Sequence, residues 1–171
     1  MDTLAAILGG RSIGSVLEVG CNRGHNLVAL SSILEHGSTL TGIEPQPYAR
    51  SLARQASDLI EVLDGTIYDI PFADRSFDLV LTSGVLIHVP LGSLGAAIRE
   101  LHRVSRRYLL SIEYFADEET VIPYRGHDDL LWKRDFLAHF EEQLPTLRLL
   151  GSGDLTIDQG FDRARWWLLE R

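Results

Sequence analysis

Residues 16–24, VLEVGCNRG, read as a buried strand that runs into a glycine-rich turn. Val16, Leu17 and Val19 are the bulky apolar residues that a strand covered on both faces requires. Gly20 and Gly24 bracket a turn where the backbone must bend sharply and approach a ligand closely. Residues 25–34 then read as a helix, with Leu27, Leu30 and Leu34 along one face. Its first amides would point into the turn. This is the pattern of the first strand, turn and helix of a nucleotide-type α/β fold.

The dinucleotide fingerprint G-x-G-x-x-G would need glycine at positions 22 and 25, where the chain has Asn22 and His25. Instead, Glu18-x-Gly20-x-Asn22-x-Gly24 resembles motif I of class I S-adenosylmethionine-dependent methyltransferases, E/D-x-G-x-G-x-G. Asparagine tolerates positive φ well, so it can stand for the middle glycine. The resemblance implies Glu18, Gly20, Asn22 and Gly24, with Asn26 just beyond, as the methyl donor's loop. The competing reading is a plain tight turn.

At 171 residues the chain is expected to form one domain, residues 1–171, able to bury a core without staples. A hydrophobic fraction of 45% and a charged fraction of 23% are ordinary for a globular protein. No apolar run approaches a membrane span, and no basic leader precedes the apolar patch in MDTLAAILGGR, so neither a membrane partner nor a signal peptide is expected. The net charge of −8 argues against a nucleic-acid partner. The single cysteine, Cys21, excludes an internal disulfide framework, reads as a small filler, and suits a reducing cytoplasm.

Along the chain, Leu4, Ile7 and Leu8 suggest a short helical turn, and residues 39–43, TLTGI, a second strand closing on Glu44-Pro45. Glu44 lies about 20 residues past Gly24, at a strand end where a carboxylate can accept from both ribose hydroxyls; a solvated loop acid is the alternative. Residues 47–56 read as a helix with Pro47 in its first turn. Residues 59–63 read as a third strand, and residues 77–82 as a fourth ending near Ser83, which with Pro45 is a further candidate donor-binding residue. Residues 93–105 carry one apolar stripe; Arg103, Arg106 and Arg107 close that helix as solvated cations. Residues 108–115 read as a fifth strand, 116–131 as irregular, 132–144 as a helix, and 147–150 and 164–170 as two final strands.

The stretch 65–89, GTIYDIPFADRSFDLVLTSGVLIHV, also resembles the methyltransferase pattern. By that alignment Thr66 falls where many relatives place an aspartate for the adenine amino group, Ile67 where a backbone amide meets the ring, and Asp69 is two or three positions off. LEVGCNRGHNLVAL, TGIEPQPYA, FDLVLTSGVLIHV, IEYF, YRGHDDLLWKRDF and RWWLLER together resemble the methylases associated with pseudaminic acid biosynthesis, from about Ser15 to Arg171. The resemblance implies a Rossmann-like α/β methyltransferase fold. Its seven-stranded sheet would have order 3-2-1-4-5-7-6, an antiparallel C-terminal strand and helices on both faces. It also implies S-adenosyl-L-methionine as donor, S-adenosyl-L-homocysteine as product, and a sugar or glycan-linked pathway. The family carries an extra N-terminal segment over the donor, whereas this sequence starts almost at the first strand. Residues 151–160, GSGDLTIDQG, also replace an aromatic-rich hairpin that borders the acceptor pocket.

Methyl transfer needs acceptor, methyl carbon and sulfur in line, and a base if the nucleophile carries a proton. In an open α/β sheet this happens beyond the carboxyl ends of the strands at the switch point. His88, Glu113 and Tyr114 are the candidate catalytic residues there. His88 suits a general base, although LIHV is apolar enough for a core histidine. Tyr124, Arg125, His127, Lys133 and Arg134 are the candidate acceptor residues. Lys133 and Arg134 would open a helix, where cations are unfavourable unless an anion is present, so the small-molecule acceptor is expected to carry an acidic group. The alternative is a surface cluster with Asp128, Asp129 and Asp135. No residue cluster has metal-ligand spacing. The expected activity is methyl transfer to O or N of a small sugar, amino-acid or natural-product-like molecule. The competing readings are a non-catalytic donor-binding module and an NAD-dependent oxidoreductase.

Overall fold

The computed structural model describes residues 2–159 and 163–171. The elements run α1 (Asp2–Leu8), β1 (Ser15–Val19), α2 (His25–Ser31), β2 (Thr39–Ile43), α3 (Pro47–Ala56), β3 (Ile60–Leu63) and β4 (Phe77–Ser83). A 3-10 turn (Leu86–His88), α4 (Leu91–Val104), β5 (Ser105–Glu113), β6 (Thr120–Val121), β7 (Trp132–Lys133), α5 (Phe136–Gln143), β8 (Arg148–Asp154), a second 3-10 turn (Ile157–Gln159) and β9 (Arg165–Glu170) follow.

The main sheet has the order β3-β2-β1-β4-β5-β9-β8. Its numbering departs from the expected 3-2-1-4-5-7-6 because β6 and β7 intervene in the chain and pair only with each other. β1 to β5 pair in parallel, while β9 runs antiparallel to both β5 and β8, so within the final hairpin β9 alone opposes the sheet. From β1 the chain steps one way to β2 and β3, then crosses to β4 and β5. The switch point, where such sheets bind ligands, lies between β1 and β4.

Strand alternation divides the core in two. Leu17, Val19, Val80 and Leu109 pack under α4 (Leu94, Ala97, Ile98, Leu101) and α5 (Phe136, Phe140). Val16, Leu40, Leu79, Leu81 and Leu110 pack under α1 (Leu4, Ile7, Leu8), α2 (Leu27, Leu30) and α3 (Ala53). Both sheet faces are covered, as the near-continuous apolar strands require.

The departures lie mainly after β5. Residues 132–144 do not form one helix: Trp132-Lys133 is a strand, Arg134 is a buried linker, and α5 starts at Phe136. Asp135 is its N-cap and accepts from Ala138 N at 3.2 Å. Residues 116–131 are not irregular throughout. They form most of a hairpin in which Thr120 pairs Lys133, Val121 pairs Trp132, and Ile122 N donates to Leu131 O at 2.9 Å. Nor are the arginines expected to close that helix merely solvated, and Arg106 and Arg107 lie in β5 rather than in α4. Arg103 donates to the Phe72 and Ile70 carbonyls and pairs with Glu100 and Asp74, and Arg106 pairs with Asp78. Of the stretch 151–160, residue 160 lies outside the described residues, as do residues 161 and 162.

Candidate active site

The turn after β1 is tied to the end of β2: the Gly20 and Cys21 amides both donate to Ile43 O, at 2.8 and 3.0 Å. Gly20 has φ +73°, and a Cβ there would stand 2.6 Å from Val85 Cγ2, so a side chain would meet the wall that follows β4. Asn22 holds φ 48°, the left-handed region that its side chain tolerates. Gly24, φ 76°, is the N-cap of α2. Cys21 is buried against Gly42, as a filler would be, and burial followed by the nearby Glu18 and Glu44 charges pushes its thiol up to about 12.

A cleft of about 370 Å³ opens at the switch point. Gly20, Asn22, Glu44, Pro45, Thr66, Ile67, Ser83 and His88 all line it, so the structure gathers most of the sequence-predicted donor residues, and His88, into one place. Glu44 accepts from the Asn22 amide (2.9 Å, Oε2) and the Gln46 amide (2.9 Å, Oε1), which fixes the carboxylate at the cleft edge. Each oxygen keeps a second lone pair for a hydroxyl. Thr66 Oγ1 accepts from the Tyr68 amide at 3.3 Å. Tyr68, with 53% of its surface exposed, and Val85 line the cleft too. Neither carries a local signal in the sequence, because each is brought in by a loop.

Glu18, Gly24 and Asn26 lie behind this wall rather than in it. Glu18 Oε1 accepts from Asn26 Nδ2 at 2.8 Å, bracing the turn against α2. Burial, with the Glu44 charge adding to it, pushes the Glu18 carboxyl up to about 8 against the lowering effect of the Asn26 bond. Its Oε2 has no partner among the described residues, which suits a neutral carboxyl.

Among the candidate catalytic residues, His88 is exposed, so the core-histidine reading does not hold. Its Nδ1 lies 2.6 Å from Leu130 O, and its ring meets the Tyr124 ring at 5.4 Å. Glu113 corrects the expectation that it faces the reacting group: it is fully buried beneath the 3-10 turn, with Oε2 accepting from the Ile87 amide at 3.3 Å. Burial pushes it up to about 7, opposed by the amides of Leu86, Ile87 and Val85 and by the Thr82 hydroxyl. Tyr114 is half-buried, with the Lys133 ammonium 5.6 Å from its ring centre.

Residues 124–127 form a tight turn in which Tyr124 and His127 exchange both backbone hydrogen bonds, at 2.8 and 3.0 Å. Arg125 (φ 52°) and Gly126 (φ 82°) occupy its two central positions, the type I′ geometry of a two-residue hairpin. The glycine is therefore demanded by the turn itself. Arg125 is exposed over the Tyr124 ring at 5.2 Å, and the His127 side chain is exposed. Arg134, only 1% exposed, donates to Val89 O at 2.7 Å and pairs with Glu119. Because the helix begins after Arg134, the argument that Lys133 and Arg134 oppose a helix dipole falls away. The expected pairing with Asp128, Asp129 or Asp135 is replaced, for Arg134, by Glu119.

The structural neighbours share this architecture at low identity. A 1,6-didemethyltoxoflavin-N1-methyltransferase from Burkholderia thailandensis, solved with bound 1,6-didemethyltoxoflavin and S-adenosylhomocysteine, matches with TM-score 0.77 and 16% identity over 99% of this chain and 76% of that one. The magnesium protoporphyrin IX methyltransferase of Synechocystis PCC 6803, with bound S-adenosylhomocysteine, matches with TM-score 0.76 and 17% identity over 99% and 81%. In sequence, an uncharacterized methyltransferase of Schizosaccharomyces pombe is 33% identical over 144 residues, 77% of this chain and 51% of its own. The chain thus spans about half the length of that relative. Residues 17–108, from the glycine turn and Glu44 to the strand beside the cleft, match the profile of the methyltransferase domain; the chain belongs to that family, whose methyl donor is S-adenosylmethionine.

Proposed function

We propose that this chain transfers a methyl group from S-adenosylmethionine to O or N of a small acceptor carrying an acidic group, with His88 as general base. The cleft suits the donor: Glu44 would hold the ribose diol, Thr66 and Ile67 the adenine edge, and the Gly20–Asn22 turn the close approach of backbone. Bound there, the donor supplies an electrophilic methyl carbon attached to sulfur. The observation that carries the reading is the position of His88. Of the ionisable side chains lining the cleft (Glu44, Tyr68 and His88), it is the one whose ordinary pKa lies near neutrality. It would take the proton released as the acceptor's O–H or N–H attacks in line. Arg125 and Lys133, cations on the hairpin beside Tyr124 and Tyr114, would receive the acceptor's acidic group. The resemblance to pseudaminic acid-associated methylases supports an acceptor among acidic sugars or their conjugates, and the free, buried Cys21 suits a reducing cytoplasm.

The test is transfer of label from a methyl-labelled donor into a small-molecule metabolite pool. Labelled product held by an anion exchanger supports the acidic acceptor, and product in the unbound fraction removes it. His88→Ala should lower transfer about 10²–10⁴-fold with S-adenosylhomocysteine affinity intact. An unchanged rate removes His88 from the chemistry. A melting-temperature rise with S-adenosylhomocysteine and none with NAD separates this reading from the oxidoreductase.

A further inference from the structure

The hairpin of residues 120–133 grips the turn that carries His88 at two consecutive residues. At the first, Leu130 O stands 2.6 Å from His88 Nδ1. A carbonyl oxygen only accepts, so the ring nitrogen facing it must carry the hydrogen, and in the neutral imidazole the lone pair is then on Nε2. At the second, Arg134, the residue immediately after β7, donates through Nη1 to Val89 O at 2.7 Å. The same guanidinium pairs with Glu119, which precedes β6, and lies 4.9 Å from the centre of the Trp132 ring. Arg134 thus joins the entrance of the hairpin, its exit and the residue next to His88, and it does so fully buried.

The Leu130 carbonyl is not on a loose tip. Leu131 beside it is buried, its carbonyl accepts from Ile122 N at 2.9 Å, and the ladder continues through the Val121–Trp132 and Thr120–Lys133 pairs. The Tyr124 ring, tilted 53° to the imidazole, bears on His88 from the same hairpin. Beneath the turn, Glu113 accepts from the Ile87 amide.

We propose that this hairpin sets the base: the Leu130 carbonyl holds His88 as the Nδ1–H tautomer, leaving Nε2 as the proton-accepting atom, and Arg134 is the positioning residue that keeps the carbonyl there. The proposal rests on the reading of His88 as base. It also gives Arg134 a role other than contact with the acceptor.

Nitrogen-15 NMR of the imidazoles reads this directly without an acceptor. In the full chain, read at the alkaline plateau of a pH series, the His88 resonances, assigned by their loss in His88→Gln, should show Nδ1 protonated and Nε2 bare. Arg134→Met should move them toward the tautomer mixture of a free imidazole, and Arg134→Lys should restore part of the wild-type pattern. S-adenosylhomocysteine affinity should hold in both variants, since Arg134 is outside the donor cleft. Should Arg134→Met fail to melt cooperatively, Tyr124→Leu takes its place and should also shift His88 toward the mixture. A wild-type His88 that is a tautomer mixture, or protonated on Nε2, overturns the proposal. So does a folded Arg134→Met with the wild-type pattern. These outcomes are independent of the turnover of His88→Ala, so failure of the positioning role and failure of the base reading are told apart.

Discussion

At the scale of single residues, the cleft proposed for the donor rests on two positions with little freedom. Glu44 is held by two backbone amides, so its geometry does not depend on a bound ligand. Glu44→Ala should weaken S-adenosylhomocysteine binding by about 1.5–3 kcal/mol, the loss of a charged hydrogen-bond acceptor. Calorimetry showing wild-type affinity would remove the ribose-holding role proposed for this strand end. Gly20 is limited twice, by its positive φ and by Val85 Cγ2 at 2.6 Å from any added Cβ. Gly20→Ala should destabilise the chain by about 1–3 kcal/mol and weaken donor binding. In the double variant Gly20→Ala, Val85→Ala the steric part should disappear and the conformational part, about 1 kcal/mol, remain. Purely additive melts would mean that Val85 does not supply the wall.

At the scale of elements, the connection from β5 to α5 is where local reading and observed structure part. Were residues 132–144 one helix, Asp135 would sit inside it, and Asp135→Ala would stabilise by helix propensity. In the observed structure Asp135 caps α5 by accepting from Ala138 N. Asp135→Ala should therefore destabilise by about 0.5–2 kcal/mol, and Asp135→Ser should recover most of it. The sign alone distinguishes the two arrangements in a denaturant titration. The hairpin before α5 owes its turn to Gly126 and Arg125 in the left-handed region, and its base to Arg134. It is a built element that delivers Tyr124 and Leu130 to His88.

At the scale of the whole molecule, two buried carboxyls under the cleft make stability depend on pH in an unusual direction. Glu18 is pushed up to about 8 and Glu113 to about 7, chiefly by burial. A raised folded pKa means the native state holds protons that the unfolded chain has released, so stability falls as pH rises through the interval. Unfolded carboxyls titrate near 4.3, so the loss should run from about pH 4.5 to 8. The lowered carboxyls Glu100, Asp154 and Glu170 act at the acid end, where stability falls as they are protonated. The chain without ligand should therefore be most stable in mildly acidic buffer. Glu18→Gln should flatten the decline by removing a proton that is lost on unfolding. A wild-type melting temperature that is level or rising from pH 5.5 to 8 would show both carboxyls ionised in the folded state.

The sequence by itself determined the part of this protein whose demands are local. Val16, Leu17 and Val19 need cover on two faces, Gly20 and Gly24 need positive φ, and Glu44 ends a strand about 20 residues further on; each is written within a few residues and survives in the structure. The stripe of α4 is legible for the same reason, since Leu94, Ala97, Ile98 and Leu101 repeat with the helix. What tertiary structure alone decided is the neighbourhood of His88. Two-residue strands such as β6 and β7 are too short to show an alternation, and Trp132 simply extended the apolar pattern of α5 toward its start. Arg134 is buried because Val89 and Glu119 come to it, Tyr68 faces the cleft because a loop turns it there, and the partner of His88 is a backbone carbonyl 42 residues away. Contacts made across such separations leave no period in the chain, because they depend on where the sheet brings its ends.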